Sequence, residues 1–169
     1  MVVIRCTSKL LNRLKVCPTP EPTASTTRLG DWYGNVVRVG RKQFILAVSE
    51  ATLLPVVLEA AAGTEPFSAR LAAAVRQVLA GIGVDPPVVQ AEIEAMATAI
   101  YAPTASRRVL GSMNDFWNLL DGYWEPRADL TRVALRIAEA PCSPLVMESP
   151  TRATLALLKA AGRVSANDS

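Results

Sequence analysis

The residues of this sequence best suited to chemistry lie in three short polar segments. The first, residues 26–33, brings together Arg28, Asp31, Trp32 and Tyr33 where a loop enters a predicted strand. Because a guanidinium binds phosphate or carboxylate through two bonds and aromatic rings offer stacking faces, this segment is suited to a planar or anionic ligand. The alternative is structural: Asp31 pairs with Arg28, and the two aromatic residues fill the rim of the core.

The second segment, residues 104–116, combines hydroxyl groups, two arginines, an amide and a carboxylate. If it turns from a strand into a helix, the first backbone N–H groups of that helix are placed to hold an anion, together with Arg107, Ser112 and Asn114. The alternative is that Ser112 or Asn114 only caps the helix, while Asp115 complements the helix dipole.

The third segment is Ser49–Glu50, at the end of a predicted strand, and it raises the question of catalysis. The chain has no histidine, which excludes Ser-His-Asp and Cys-His mechanisms and every imidazole metal site. Its three cysteines are far apart in the sequence, so neither a metal nor a cofactor is predicted. An enzyme of this composition would use carboxylates as acid and base, and the candidates are Asp31, Glu50 and Asp115.

These segments favour a binding or interaction domain, because arginines and aromatic residues occur without a recognisable pair of nucleophile and base. The predicted cleft holds an anionic or nucleotide-like ligand, or a macromolecular partner, and it requires that segments 26–33 and 104–116 converge. Its lining would be Arg28, Asp31, Trp32, Tyr33, Arg107, Ser112 and Asn114. The alternative is a histidine-free enzyme in which Arg28 or Arg107 stabilises developing negative charge.

Charge is distributed unevenly along the chain, and this supports a third interpretation. Residues 1–42 contain eight Lys/Arg and two acidic residues, a net charge of +6, whereas the remainder carries −3. Such asymmetry is typical of a surface that faces a polyanion, although it also occurs as solvated surface charge. The domain would then be a weak nucleic-acid binder through Lys9, Arg13, Arg38, Arg41 and Lys42.

Apolar patterning predicts an α+β fold. The sheet is small and mostly antiparallel, built from the N-terminal third plus residues 104–111, and about five or six helices cover it. Alternation and β-branched runs place the early strands at 2–4, 31–39, 44–49 and 53–58. Helical spacing and cap signals place helices at 8–14, 67–82, 86–100, 112–124, 130–140 and 150–161. Residues 1–162 are predicted to form one domain, followed by a frayed tail at 163–169.

The sequence carries no signal that directs it to a membrane. The longest apolar stretch, residues 51–63, contains Pro55 and Glu59 and is too short to span a bilayer. Arg5 and Lys9 interrupt the N-terminal apolar residues, which is not typical of a signal peptide. An odd number of scattered cysteines suits a reducing compartment. We therefore predict a cytoplasmic protein without a membrane partner.

Several blocks of the sequence together resemble one protein family. They are IRCTSKLLNRL, STTRLGDWYGN, LAVSEATLLPVVL, TASRRVLGSMNDF and LRIAEAPCSPL…SPTRATLALL. In that order they are similar to the bacterial domain of unknown function 6933 family, and the likeness runs from about Ile4 to Leu158. The resemblance implies a link to plasmid or mobile-element reading frames but carries over no activity. The positions that match its blocks are Arg5, Thr27, Arg28, Gly30, Asp31, Trp32, Tyr33, Ser49, Glu50, Arg107, Gly111, Ser112, Asn114 and Asp115.

Overall fold

The computed structural model describes residues 1–61 and 63–166, with side chains up to residue 160. Its strands are β1 (Val2–Cys6), β2 (Trp32–Val39), β3 (Lys42–Ser49), β4 (Pro55–Glu59) and β5 (Ala99–Pro103). Its α-helices are α1 (Ser8–Leu14), α2 (Phe67–Gly81), α3 (Pro86–Ala95), α4 (Arg107–Tyr123), α5 (Leu130–Ala138) and α6 (Pro150–Ala166). A single 3₁₀ turn, Ser143–Leu145, precedes α6.

The five strands form one mixed sheet in the order β4-β3-β2-β1-β5. Strands β2, β3 and β4 are an antiparallel meander, whereas β1 pairs in parallel with β2 on one side and with β5 on the other. The α+β class predicted from the sequence is confirmed. The sheet is less antiparallel than expected, because β1 runs parallel to both of its neighbours, β2 and β5.

The fifth strand lies just before the segment in which it was predicted. Residues 104–111 do not form a strand, because Ser106 accepts a hydrogen bond from the backbone N–H of Val109 and caps α4, which begins at Arg107. Conversely, Ile100 was assigned to the apolar stripe of the preceding helix, but it pairs with Val3 in the sheet. The run Ala-Ile-Tyr around it is rich in strand-favouring residues, so helix α3 ends early.

The core lies on both faces of the sheet, since consecutive residues of β3 and β4 are buried with no polar face. Helix α1 is capped by Thr7, whose hydroxyl accepts from the N–H of Leu10. Helix α4 packs on β2 and β3, while α2 and α5 pack on β4. The proline-rich loop between α1 and β2 runs along the outer side of β5, where the N–H of Thr19 donates to the carbonyl of Tyr101 at 2.7 Å.

Two further sequence predictions concern the ends of the chain and the membrane. Helix α6 continues to Ala166, and the rest of the predicted frayed tail, residues 167–169, lies outside the described residues. Among residues 1–61 and 63–166, no helix combines the length and the apolar character needed to cross a bilayer.

Candidate functional site

Asp31 is the centre of a buried polar cluster at one end of the sheet, which we call the Asp31 cluster (Arg5, Ser25, Asp31, Tyr33 and Glu50). The Nε of Arg5 donates to Oδ2 of Asp31 at 2.6 Å, and the Ser25 hydroxyl donates to Oδ1 at 2.6 Å. Both carboxylate oxygens are therefore occupied by fixed donors. The partner of Asp31 is Arg5, not Arg28 as the structural alternative assumed.

Strand register explains why these side chains meet. In the parallel pairing Arg5 lies opposite Tyr33 on β2 and opposite Ala102 on β5. The Nη1 of Arg5 also donates to the carbonyl of Pro103 at 3.2 Å. The hydroxyl of Tyr33 donates to Oε1 of Glu50 at 3.4 Å. The cluster thus ties together the ends of β1, β3 and β5 and the start of β2.

Tyr33 is a neutral donor in this cluster. Its pKa is raised to about 12, mainly by burial and next by the nearby carboxylate of Glu50. Arg5 lowers this pKa, and Asp31 raises it by less than Glu50 does. A phenol that stays protonated can donate to Glu50 but does not act as a base near neutral pH. An acid–base pairing of Asp31 with Glu50 stays a prediction; Asp115, the third candidate carboxylate, lies elsewhere.

The Tyr33 shift predicts a loss of stability at high pH. The unfolded chain loses the tyrosine proton near pH 10 and the folded protein near pH 12, so the unfolding free energy falls as the pH rises between these values. We expect Tyr33→Phe to recover about 1 kcal/mol of the fall between pH 8 and pH 11. Urea unfolding of both proteins at pH 8 and pH 11 measures it. Equal losses in the two proteins would contradict the assignment.

The other predicted residues of the first segment divide between core and surface. The side chain of Trp32 is fully buried, and its Nε1 has no hydrogen-bond partner within the described part of the chain. It therefore offers no exposed stacking face. Arg28 has an exposed side chain, but its backbone N–H and that of Leu29 donate to the two carboxylate oxygens of buried Glu92, at 3.0 and 3.1 Å.

The second segment is helical, which changes the roles of its residues. Because α4 begins at Arg107, Ser112 lies more than a turn inside it and its hydroxyl donates to the carbonyl of Arg108 at 3.3 Å. Neither Ser112 nor Asn114 caps the helix, so the helix start predicted near them is wrong. Arg107 and Asn114 have exposed side chains on this helix.

Arg108 joins the second predicted segment to the third, Ser49–Glu50. Its Nη1 donates to the carbonyl of Glu50 at 3.5 Å and its Nη2 to the carbonyl of Pro144 at 3.4 Å. Ser112 and Asp115 instead line a separate cavity of about 240 Å³ beside Cys142. The structure therefore brings the start of α4 to the Asp31 cluster, but it places Asp115 in different surroundings.

The two buried cysteines, Cys6 and Cys142, are not activated as nucleophiles. Burial raises the pKa of Cys6 to about 12, and burial followed by the charge of Asp115 raises the pKa of Cys142. Nucleophilic cysteines need the thiolate, which a raised pKa suppresses at neutral pH.

The second polar region is a groove that we call the basic groove. It encloses about 460 Å³ between α1, the β2–β3 hairpin and the end of β4, and its walls are Arg13, Arg38, Arg41, Lys42, Gln43, Phe44, Glu59, Ala60 and Ala61. A tight turn at Gly40, with φ of 58°, brings the hairpin's cationic residues together. Such a positive φ suits glycine, which has no Cβ.

One cation of the groove is fixed by hydrogen bonds, and the other three are exposed. Arg13 donates through Nε and Nη2 to the carbonyl of Ala60, at 3.1 and 2.9 Å, and through Nη1 to Oε1 of Gln43 at 2.9 Å. Arg38, Arg41 and Lys42 are exposed. Between the residues with described side chains, the only ion pair within 4.0 Å is Arg5–Asp31, so none of the groove's cations is paired in this way.

The groove's charge is strongly positive. Four cationic side chains face one carboxylate, that of Glu59. Lys9 extends the positive surface along β2, since its Nζ donates to the carbonyl of Val36 at 3.4 Å. Four of the five residues predicted from charge asymmetry thus line a single cavity, and the fifth lies next to it.

Comparison with protein-family models identifies the family of this chain. The family model described as a domain of unknown function (DUF6933) matches residues 3–153. The chain belongs to this family. No curated protein and no solved structure matched it. The DUF6933 match covers every residue of the Asp31 cluster and of the basic groove, so both are parts of the family domain.

Proposed function

We propose that this domain binds anionic ligands through the basic groove. The observation that carries the proposal is the convergence of four cationic side chains from α1 and the β2–β3 hairpin on one open cavity with a single carboxylate. Like charges gathered without carboxylate partners repel one another, and a bound anion relieves that repulsion. Guanidinium groups also match the geometry of phosphate oxygens.

The groove is partly organised before a ligand arrives. Arg13 is held by three hydrogen bonds, so its position costs little further entropy on binding. Arg41 lies on the hairpin turn and Lys42 begins β3, and both are exposed, so their long side chains can adjust to the ligand. A fixed cation beside mobile ones suits ligands that carry more than one negative charge.

The location differs from the cleft expected from the sequence. Trp32 lies wholly in the core and both oxygens of Asp31 have structural partners. We still propose that the domain binds anions. The residues proposed for this role are now those that the uneven charge distribution indicated, not those of the predicted cleft. A cytoplasmic setting is also part of the proposal, and it is supported by three free cysteines, two of them buried.

Charge reversal tests the groove directly. We expect the double variant Arg41→Glu/Lys42→Glu to bind fluorescently labelled inorganic polyphosphate about 10-fold more weakly or worse, because it removes two favourable charges and adds two repulsive ones. Fluorescence anisotropy at low salt measures the dissociation constant. The turn is exposed, so the fold should tolerate both changes.

A matched control has the same change in net charge at another place. The double variant Arg28→Glu/Arg107→Glu alters the two arginines of the cleft predicted from the sequence, both exposed and outside the groove. We expect it to bind polyphosphate nearly as well as the wild type. Equal losses in both doubles, or a loss confined to Arg28 and Arg107, would overturn the assignment of the groove.

A further inference from the structure

An exposed indole lies directly beside the basic groove. Trp117 on α4 has 38% of its surface exposed, so part of its side chain is open to a ligand. Its Nε1 donates to the carbonyl of Arg38 at 2.9 Å, so its position relative to a cationic wall of the groove is fixed. A rigid, partly exposed aromatic ring next to arginines is a platform on which a planar group can stack.

A second indole, that of Trp124, contacts strand β3 of the hairpin. Trp124 follows α4, and the Nζ of Lys42 lies 5.7 Å from the centre of its ring. The same ring packs against Phe44, with centroids 5.5 Å apart. The ammonium of the exposed Lys42 therefore lies over an aromatic ring, where a cation–π interaction holds it. Each of the two indoles therefore contacts a cationic residue of the hairpin, Trp117 at Arg38 and Trp124 at Lys42.

We propose that the anionic ligand of the groove is single-stranded nucleic acid, with phosphates on Arg38, Arg41 and Lys42 and one base stacked on Trp117. This inference rests on the proposed anion binding and adds the class of ligand. Proteins that bind single strands without reading their sequence combine a cationic track with aromatic stacking platforms, and every base has a face that can stack.

Other phosphate-bearing ligands use less of this surface. Inorganic polyphosphate has no planar group to place on Trp117. A duplex keeps its bases stacked on one another, so it presents phosphates to the groove but no free base to the indole. Lys9, beside Val36, continues the positive track along the same strand from Arg38, as an extended strand of nucleotides would require.

The test compares two oligomers that have the same phosphate backbone. Labelled oligothymidylate of 12 nucleotides and an abasic 12-mer are titrated with the wild type and with Trp117→Ala by fluorescence anisotropy. We expect Trp117→Ala to weaken oligothymidylate binding by about 5- to 100-fold and to leave the abasic oligomer unchanged. Trp117→Phe should retain most of the affinity because it keeps a ring. Met147→Ala is a matched control, since Met147 is exposed but lines a different cavity.

The outcomes separate this inference from the proposed function. If Arg41→Glu/Lys42→Glu weakens both oligomers but Trp117→Ala weakens neither, the groove binds anions and the single-strand inference is wrong. Duplex binding as tight as single-strand binding would also overturn it. If the charge reversal affects neither oligomer, both proposals fail. Oligothymidylate binding should also weaken by about 20-fold between 50 and 200 mM salt if three phosphates are neutralised.

Discussion

Replacing Arg5 with methionine should lower the free energy of unfolding by about 3 kcal/mol, because it removes one partner of a buried ion pair. The side chains of Arg5 and Asp31 are 17% and 9% exposed, so water cannot replace the lost charge well. Ser25 alone would remain to stabilise the carboxylate. The tie from β1 to the carbonyl of Pro103 on β5 would also be lost.

Thermal unfolding measures the effect of this change. For a chain of this length, 3 kcal/mol corresponds to a fall in Tm of about 6–12 °C. Arg5→Lys keeps the charge and should lose less. The double variant Arg5→Met/Asp31→Asn removes the uncompensated carboxylate and should be more stable than Arg5→Met alone. An Arg5→Met protein that melts with the wild type would show that the pair contributes nothing net.

The second large effect is expected at Glu92, whose carboxylate receives the backbone N–H groups of Arg28 and Leu29. Glu92→Gln keeps the shape but turns one acceptor oxygen into an NH₂ group that faces a donor. Because Glu92 is only 3% exposed, water does not relieve this mismatch. We expect a loss of about 2 kcal/mol in the free energy of unfolding.

Urea unfolding gives the size of this loss, and hydrogen exchange gives its location. The amides of Arg28 and Leu29 should exchange faster in Glu92→Gln while amides of β2 keep their relative protection. Glu94→Gln on the same helix is the control, since Glu94 is exposed and contacts Gln90 only at the surface. Similar effects of the two variants would contradict the role assigned to Glu92.

Local signals in the sequence predicted much of the fold. Thr7 as a cap, the strand at β2 and the apolar stripe of α2 depend on neighbouring residues and were confirmed. The fifth strand was predicted too late in the sequence, because Ser106 and the later Ser112 are equally good helix-capping residues. The cap forms at Ser106, and Ala99–Pro103 can then pair with β1.

The candidate site was harder to predict because its contacts join distant parts of the chain. Arg5 and Asp31 are 26 residues apart, and Arg28 and Glu92 are 64 apart. One signal was available: Arg5 is a charged residue within an apolar strand sequence, and such a residue needs a buried partner. Glu92 shares its helix with one other glutamate, and nothing local distinguishes it from that residue, the exposed Glu94.

The two edge strands of the sheet, β4 and β5, affect how the domain associates with other chains. On the β5 side, the loop that bonds Tyr101 occupies part of the free backbone with prolines around it, and proline cannot continue a ladder. On the β4 side, Arg70 binds the carbonyl of Glu59, where an added strand would attach. Exposed strand borders promote aggregation by recruiting further strands. Both borders are thus partly blocked, which disfavours strand-by-strand self-association.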